Sequence, residues 1–143
     1  PCSVSHTHAW HVRSQSPPSA TTHSATAPHA ARLGATVELI GTPAEAVSVF
    51  PTALPLINVP DGGETVPGTP TFEGARCALD TLGLAIGLAQ SCAAAALVTG
   101  PVSKKQLQQV GFTHPGQTEF IAERCGVSAT NTAMMLAGPG LRV

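Results

Sequence analysis

Ala93-Ala94-Ala95-Ala96-Leu97-Val98-Thr99-Gly100-Pro101-Val102-Ser103-Lys104 decides how the rest of this chain is read. A run of small apolar residues ends in Leu97-Val98, a Thr-Gly-Pro turn follows, and a lysine-bearing segment opens at Ser103. That order is a buried strand, a tight loop and a helix start. In open α/β sheets, ligands gather at the carboxyl ends of strands. Thr99, Ser103 and Lys104 would share such an end, offering a hydroxyl, a cation and a helix N-terminus to an anion. From the residues alone Lys104 is either turned toward a bound anion or solvated in the first helical turn, and Lys105 is read as solvated. A cation at a helix N-terminus is unfavourable by a few tenths of a kcal/mol or more, so two in succession suggest an anionic partner.

Working outward, Ala30-Ala31-Arg32-Leu33-Gly34 reads as a helix end with a glycine cap. Thr36–Ile40 is β-branched and alternating, hence a strand. Thr42-Pro43-Ala44-Glu45 has the composition of a capping box with proline at N1, opening a short helix to about Phe50. A second strand is expected at Leu56–Val59, then a glycine- and proline-rich loop over 60–68. Thr69-Pro70 opens the main helix, to about residue 90. Phe72, Ala75, Leu79, Leu82, Ile86 and Ala89 form its apolar stripe, with Glu73, Arg76 and Asp80 opposite. After the 93–98 strand, Ser103 and Gln106 form a second capping box on a helix stopping at Gly111. Thr118–Cys125 makes a further helix capped by Gly126, and Thr132–Ala137 a final strand. The fold class expected is α/β, a mostly parallel sheet with helices on both faces.

Residues 1–29 stand apart. The first 31 residues hold ten serines and threonines and five of the six histidines, with no apolar periodicity. Such a segment cannot bury enough surface to order itself, and without a continuous apolar core it is no signal peptide. It is read as a disordered or non-native leader, irregular throughout. The triplet His6, His8, His11 could grip a metal only adventitiously.

Composition excludes several classes. Charged residues are 10% of the 143 and the net charge is −1, so no basic face for nucleic acid is expected. No run of about 18 apolar residues exists to span a membrane. Cys2, Cys77, Cys92 and Cys125 lack C-x-x-C spacing, so zinc is not expected. Cys77, Cys92 and Cys125 sit among apolar or small residues and read as buried inert thiols, with a reducing, cytoplasmic compartment as the corollary.

Two linked motifs carry a resemblance. Thr-Gly-Pro-Val-Ser-Lys at 99–104 and Pro-Gly-Gln-Thr-Glu-Phe at 115–120 are similar to the loop and the Gly-His-Thr-Glu segment of the 4-hydroxythreonine-4-phosphate dehydrogenase (PdxA) family. Met134–Ala137 and Leu141–Val143 resemble the family's next strand and turn. The likeness covers residues 30–143, read as a partial domain truncated at its C-terminus. It implies part of an isocitrate-dehydrogenase-like fold and a homodimeric enzyme using NAD or NADP. It also implies a divalent cation (Zn, Mg or Co) whose three histidine ligands are not in this chain, and a small phosphorylated hydroxy-amino-acid substrate. By the same resemblance Lys104 is catalytic and Thr99, Gln117 and Thr118 bind substrate, while no cofactor-binding residue is assigned.

Gln117 departs from the pattern, standing where the family usually has a histidine. Glutamine can donate and accept hydrogen bonds as neutral imidazole does, but it cannot take up a proton. His114, ahead of Pro115, is read as an extended surface residue rather than a replacement. Other readings are a dehydrogenase of erythronate or threonate 4-phosphate, a phosphotransacetylase-like acyltransferase, and a non-catalytic α/β fragment. The 143 residues alone are expected to be inactive.

Overall fold

The computed structural model describes residues 12–13, 30, 33–59, 66 and 68–143. The chain divides into two compact units, one ending at Phe112 and the other spanning Thr113–Val143. The first unit is built on a parallel three-stranded sheet of β1 (Val12–Arg13), β2 (Val37–Ile40) and β3 (Leu54–Asn58), in the order β1-β3-β2. Val37 lies opposite Leu54 and Ile40 opposite Ile57, while Val12 pairs with Ile57 from the other side. A strand at Val12–Arg13 was not expected, since that stretch has no apolar alternation; its place comes from pairing with β3. The remainder of residues 1–29 lies outside the described residues.

Central β3 contains Pro55, which cannot donate to a ladder. Leu54 N–H donates to Thr36 O at 2.8 Å. Backbone direction alternates along a strand, so the Pro55 nitrogen turns away from β2. On that side the described part of β1 begins only opposite Ile57, so no ladder bond is lost among the described residues.

Parallel strands need a crossover. Residues 41–53 supply it through a 3₁₀ turn (Pro43–Glu45) and the short helix α1 (Ala46–Val49). Glu45 reaches back over the start of this connection. Its Oε1 accepts from Thr42 N–H and the Thr42 hydroxyl, both at 2.8 Å, and its Oε2 from Gly41 N–H at 3.3 Å. The helix start read from Thr42 and Glu45 is therefore present. It seats Ala46, wholly buried, and Val49 against Ile40, with Ala53 and Ile57 packed around them.

The main helix is α2 (Phe72–Gln90). It starts two residues later than expected, because the Thr71 side chain accepts from Gly74 N–H at 3.0 Å and becomes the cap. Ala75, Cys77, Leu82 and Ile86 are buried, Leu79 and Ala89 half-buried. The apolar stripe holds except at Phe72, which is exposed. Arg76 and Asp80 face solvent as an i,i+4 pair at 3.5 Å.

Beyond α2 the expected strand at 93–98 does not form. Ser91 ends the helix and Cys92 takes a left-handed φ of 60°, unusual for a residue with a side chain. The turn lets Ala94 N–H donate to Leu88 O at 3.0 Å. Residues 96–103 are irregular and Val98 is 62% exposed. An apolar run becomes a strand only beside another strand, and none pairs with it among the described residues. Cys92 corrects a second expectation: it is exposed and disulfide-bonded, and Cys125 is an exposed thiol, leaving Cys77 as the buried one.

Helix α3 (Lys104–Gln109) follows, without the capping box read from Ser103 and Gln106, since the Ser103 side chain makes no cap bond. The second unit contains α4 (Gln117–Arg124), which begins one residue early with Gly116 as its N-cap. Gly34, Gly111 and Gly126, each read as a helix cap, have φ of 68°, 89° and 68°. The expected strand at 132–137 is instead an antiparallel ribbon of β4 (Ala137–Gly138) and β5 (Leu141–Arg142). Pro139 and Gly140, the latter at φ 85°, turn the chain between them, a proline–glycine pair suited to a type II turn. The fold is thus α/β with a parallel sheet, but the strands at 93–98 and 132–137 are not in it.

Two outcomes test this account. Leu56, wholly buried in β3, should cost about 2–5 kcal/mol when cut to alanine, read from denaturant unfolding. The Glu45 carboxyl is held below its ordinary range by the Thr42 hydroxyl first, then by the Gly41 and Thr42 amides. Folding thus lowers its pKa, so its contribution is complete above the unfolded-state pKa and is lost as pH falls through the folded one. Glu45→Gln should lower the melting temperature at neutral pH and leave a shallower acid limb than the parent shows.

Candidate functional site

In the first unit the Thr99–Lys104 loop passes the head of α2. Pro101, Val102, Ser103, Gln106 and Leu107 line one side of a cavity of about 230 Å³, and Thr69, Thr71, Gly74 and Ala78 line the other. Leu107 is buried and anchors α3, while Pro101 through Lys105 remain exposed. Thr99 and Lys104 are exposed and lie outside the lining. Lys104 and Lys105 open the helix with no acidic residue in its first turn, so the helix field on both ammonium groups is uncompensated there. Thr71 already satisfies one of the amides at the head of α2, and the cavity wall is largely apolar.

Within the second unit, Gln117 and Thr118 are half-buried in the first turn of α4, and neither caps it. The turn before them is fastened by His114. Its Nε2 lies 2.6 Å from Glu123 Oε2, one residue from the helix's far end. The imidazole meets the buried Phe120 ring edge-on at 5.2 Å between centroids and 80° between planes, and Arg124 lies 5.1 Å over that same ring. With its side chain only 17% exposed, His114 is not the surface residue expected. The aromatic contact spans six residues and the carboxylate contact nine, separations that no local pattern reveals. The two halves of the expected site, Thr99 with Lys104 and Gln117 with Thr118, thus belong to different units, and each has its own local support.

A divalent cation needs several ligands converging. Among the described residues no group of three or more histidine, cysteine, aspartate or glutamate side chains could hold one. The described residues therefore do not fit a divalent cation, and no chemical step is derived through one. Among these residues, no helix is long and apolar enough to cross a membrane.

The order of parallel strands, the loop before Lys104 and the Gln-Thr-Glu helix start place the chain among α/β proteins. The family profile described as "Pyridoxal phosphate biosynthetic protein PdxA" matches residues 14–143, beginning inside the histidine-rich stretch. A 4-hydroxythreonine-4-phosphate dehydrogenase of Zymomonas mobilis is 50% identical over 106 residues, covering 74% of this chain and 32% of that protein. One from Erythrobacter litoralis is 43% identical across 94% of this chain and 42% of its own length. The crystal structure of the Klebsiella pneumoniae 4-hydroxythreonine-4-phosphate dehydrogenase superposes with a TM-score of 0.65 at 28% identity, over 76% of this chain and 32% of that one. A Burkholderia phymatum counterpart gives 0.59 at 29%. The chain belongs to the PdxA family, and it spans about a third to two-fifths of the length of these relatives.

The fastening of α4 predicts a measurable loss. His114→Ala should destabilise the second unit by about 1–2 kcal/mol, from an aromatic pair and a charge-assisted hydrogen bond. Amide exchange should rise across Gln117–Ile121 while β2 and β3 keep their protection.

Proposed function

We propose that this chain is a portion of an NAD(P)-dependent 4-hydroxythreonine-4-phosphate dehydrogenase, acting in pyridoxal 5′-phosphate biosynthesis as a cytoplasmic homodimer. The observation that carries the reading is the family match over residues 14–143, with both motifs retained within it. The completed enzyme would oxidise the 3-hydroxyl of 4-phosphooxy-L-threonine, and the resulting β-keto acid would lose CO₂. Lys104 is assigned the cation that steadies negative charge developing on the substrate. The Thr99 hydroxyl and the Gln117 and Thr118 side chains bind and orient it. Because Gln117 cannot exchange a proton, it holds the substrate by hydrogen bonds alone.

Supplying the divalent cation, the dinucleotide and the rest of the fold falls to the part of the relatives that this chain does not cover. The 143 residues alone are therefore proposed to be silent. Joining the chain to the unmatched remainder of the Zymomonas relative should restore reduced-nicotinamide formation from 4-phosphooxy-L-threonine. In that assembly Lys104→Ala should lower kcat/KM by about 10²–10³-fold. Gln117→His should add a titration near the histidine range to the pH–rate profile. A restored assembly that oxidises erythronate 4-phosphate and not the amino-acid substrate would move the chain to the sugar-acid branch. Acetyl transfer without nicotinamide would replace the reading altogether.

A further inference from the structure

One cavity of the first unit takes no part in the proposed reaction. It lies between the head of α2 and the start of α3, measures about 230 Å³, and has no charged side chain in its lining among the described residues. The buried side chains of Ala75 and Leu107 supply apolar wall. Its polar groups are Thr69, Thr71, Ser103 and Gln106. The Thr71 oxygen accepts from Gly74 N–H at 3.0 Å, and its own O–H remains to donate. The Ser103 side chain makes no cap bond. Among the described residues the Gln106 side-chain amide has no hydrogen-bond partner.

Small-molecule pockets combine an apolar lining with a few polar groups that fix orientation. Here every polar group is neutral. An ion seated against Ala75 and Leu107 would lose hydration with no opposite charge in the lining to replace it, which is costly. Lys104 does not compensate, since it lies outside the lining, and the Gly74 amide at the head of α2 is already taken by Thr71. A neutral group meets no such cost. Hydroxyls and a primary amide each donate and accept, so the partner they satisfy best does both from adjacent atoms. A carboxamide has that arrangement. Its C=O and NH₂ can pair with the Gln106 amide through two parallel bonds, leaving one N–H and one lone pair for the hydroxyls.

We propose that this cavity is a binding site for a small neutral carboxamide on a compact apolar body, separate from the anion contact assigned to Lys104. The inference rests on the lining and not on the proposed reaction, so its test reads binding and uses no activity. The 143-residue chain, labelled with ¹⁵N, would be titrated with benzamide while the Gly74, Ser103 and Gln106 amides are followed by NMR. Benzoate, the anionic counterpart of the same shape, and inorganic phosphate would be titrated in parallel.

The expected result is saturable shifts of those amides by benzamide, with a dissociation constant of about 1–10 mM. Benzoate should bind at least about tenfold more weakly, and phosphate should leave the three amides in place. Ala78→Leu puts a larger side chain into the lining at an exposed helical site and should weaken benzamide by about tenfold or more. Gln106→Met keeps the length, removes the amide and should cost about three- to tenfold. Gln108→Met, on the same helix and outside the lining, should change nothing. Far-UV circular dichroism checks that the variants fold, and the comparison of benzamide with benzoate on the unaltered chain decides the question if Ala78→Leu does not. Three results would overturn the proposal. One is the absence of saturable shifts with benzamide. Another is benzoate or phosphate moving the same amides as strongly, which makes the site one for anions. The third is benzamide binding undiminished in a folded Ala78→Leu variant, which places the ligand outside the cavity.

Discussion

The parallel ladder between Val37–Ile40 and Leu54–Asn58 is the constraint on which the first unit depends. Parallel strands cannot be joined by a tight turn, so the ladder exists only if residues 41–53 climb back over the sheet. The Glu45 carboxylate helps that return by gathering the Gly41 and Thr42 amides and the Thr42 hydroxyl. Once the connection is set, Ala46 and Val49 land on Ile40 and Ile57. The small Ala46 side chain lets α1 lie close to the sheet. Leu56, with no exposed surface, then has its place fixed by the register opposite Leu39.

How far sequence reasoning reached follows from what kind of information each element carries. Helix α2 was legible because its spacing is intrinsic: Ala75, Leu79, Leu82 and Ile86 return to one face whatever surrounds them. The left-handed glycines at 34, 111 and 126 were legible because left-handed φ is a demand on one residue. The start of the 41–53 connection was legible because Thr42 and Glu45 are near neighbours. Strands are different, since a strand is a property of a pair. The apolar runs at 93–98 and 132–136 encode burial, and burial alone does not choose a partner. One missed feature did leave a local sign. Pro139-Gly140 between short apolar segments is turn chemistry, and it separates Ala137–Gly138 from Leu141–Arg142.

The candidate site divides along the same line. That a loop would precede Lys104 and a helix would begin near Gln117 could be read locally, and both are present. What holds the second helix start in place could not. His114 reaches Phe120 and Glu123 across most of α4, and only the folded chain brings those groups together. The residue that looked like a loop histidine is a fastening for the turn presenting Gln117 and Thr118.

The exchange of histidine for glutamine at 117 gains meaning from this local geometry. Gly116 is the N-cap of α4, so residue 117 enters the helix with its side chain not committed to capping. A side chain there is carried by a rigid first turn, held from behind by an imidazole packed on an aromatic ring. That support suits hydrogen-bonding, because a positioned amide loses little further freedom when it meets a ligand. Position 117 in this chain therefore carries an amide that can donate and accept hydrogen bonds but cannot itself take up a proton.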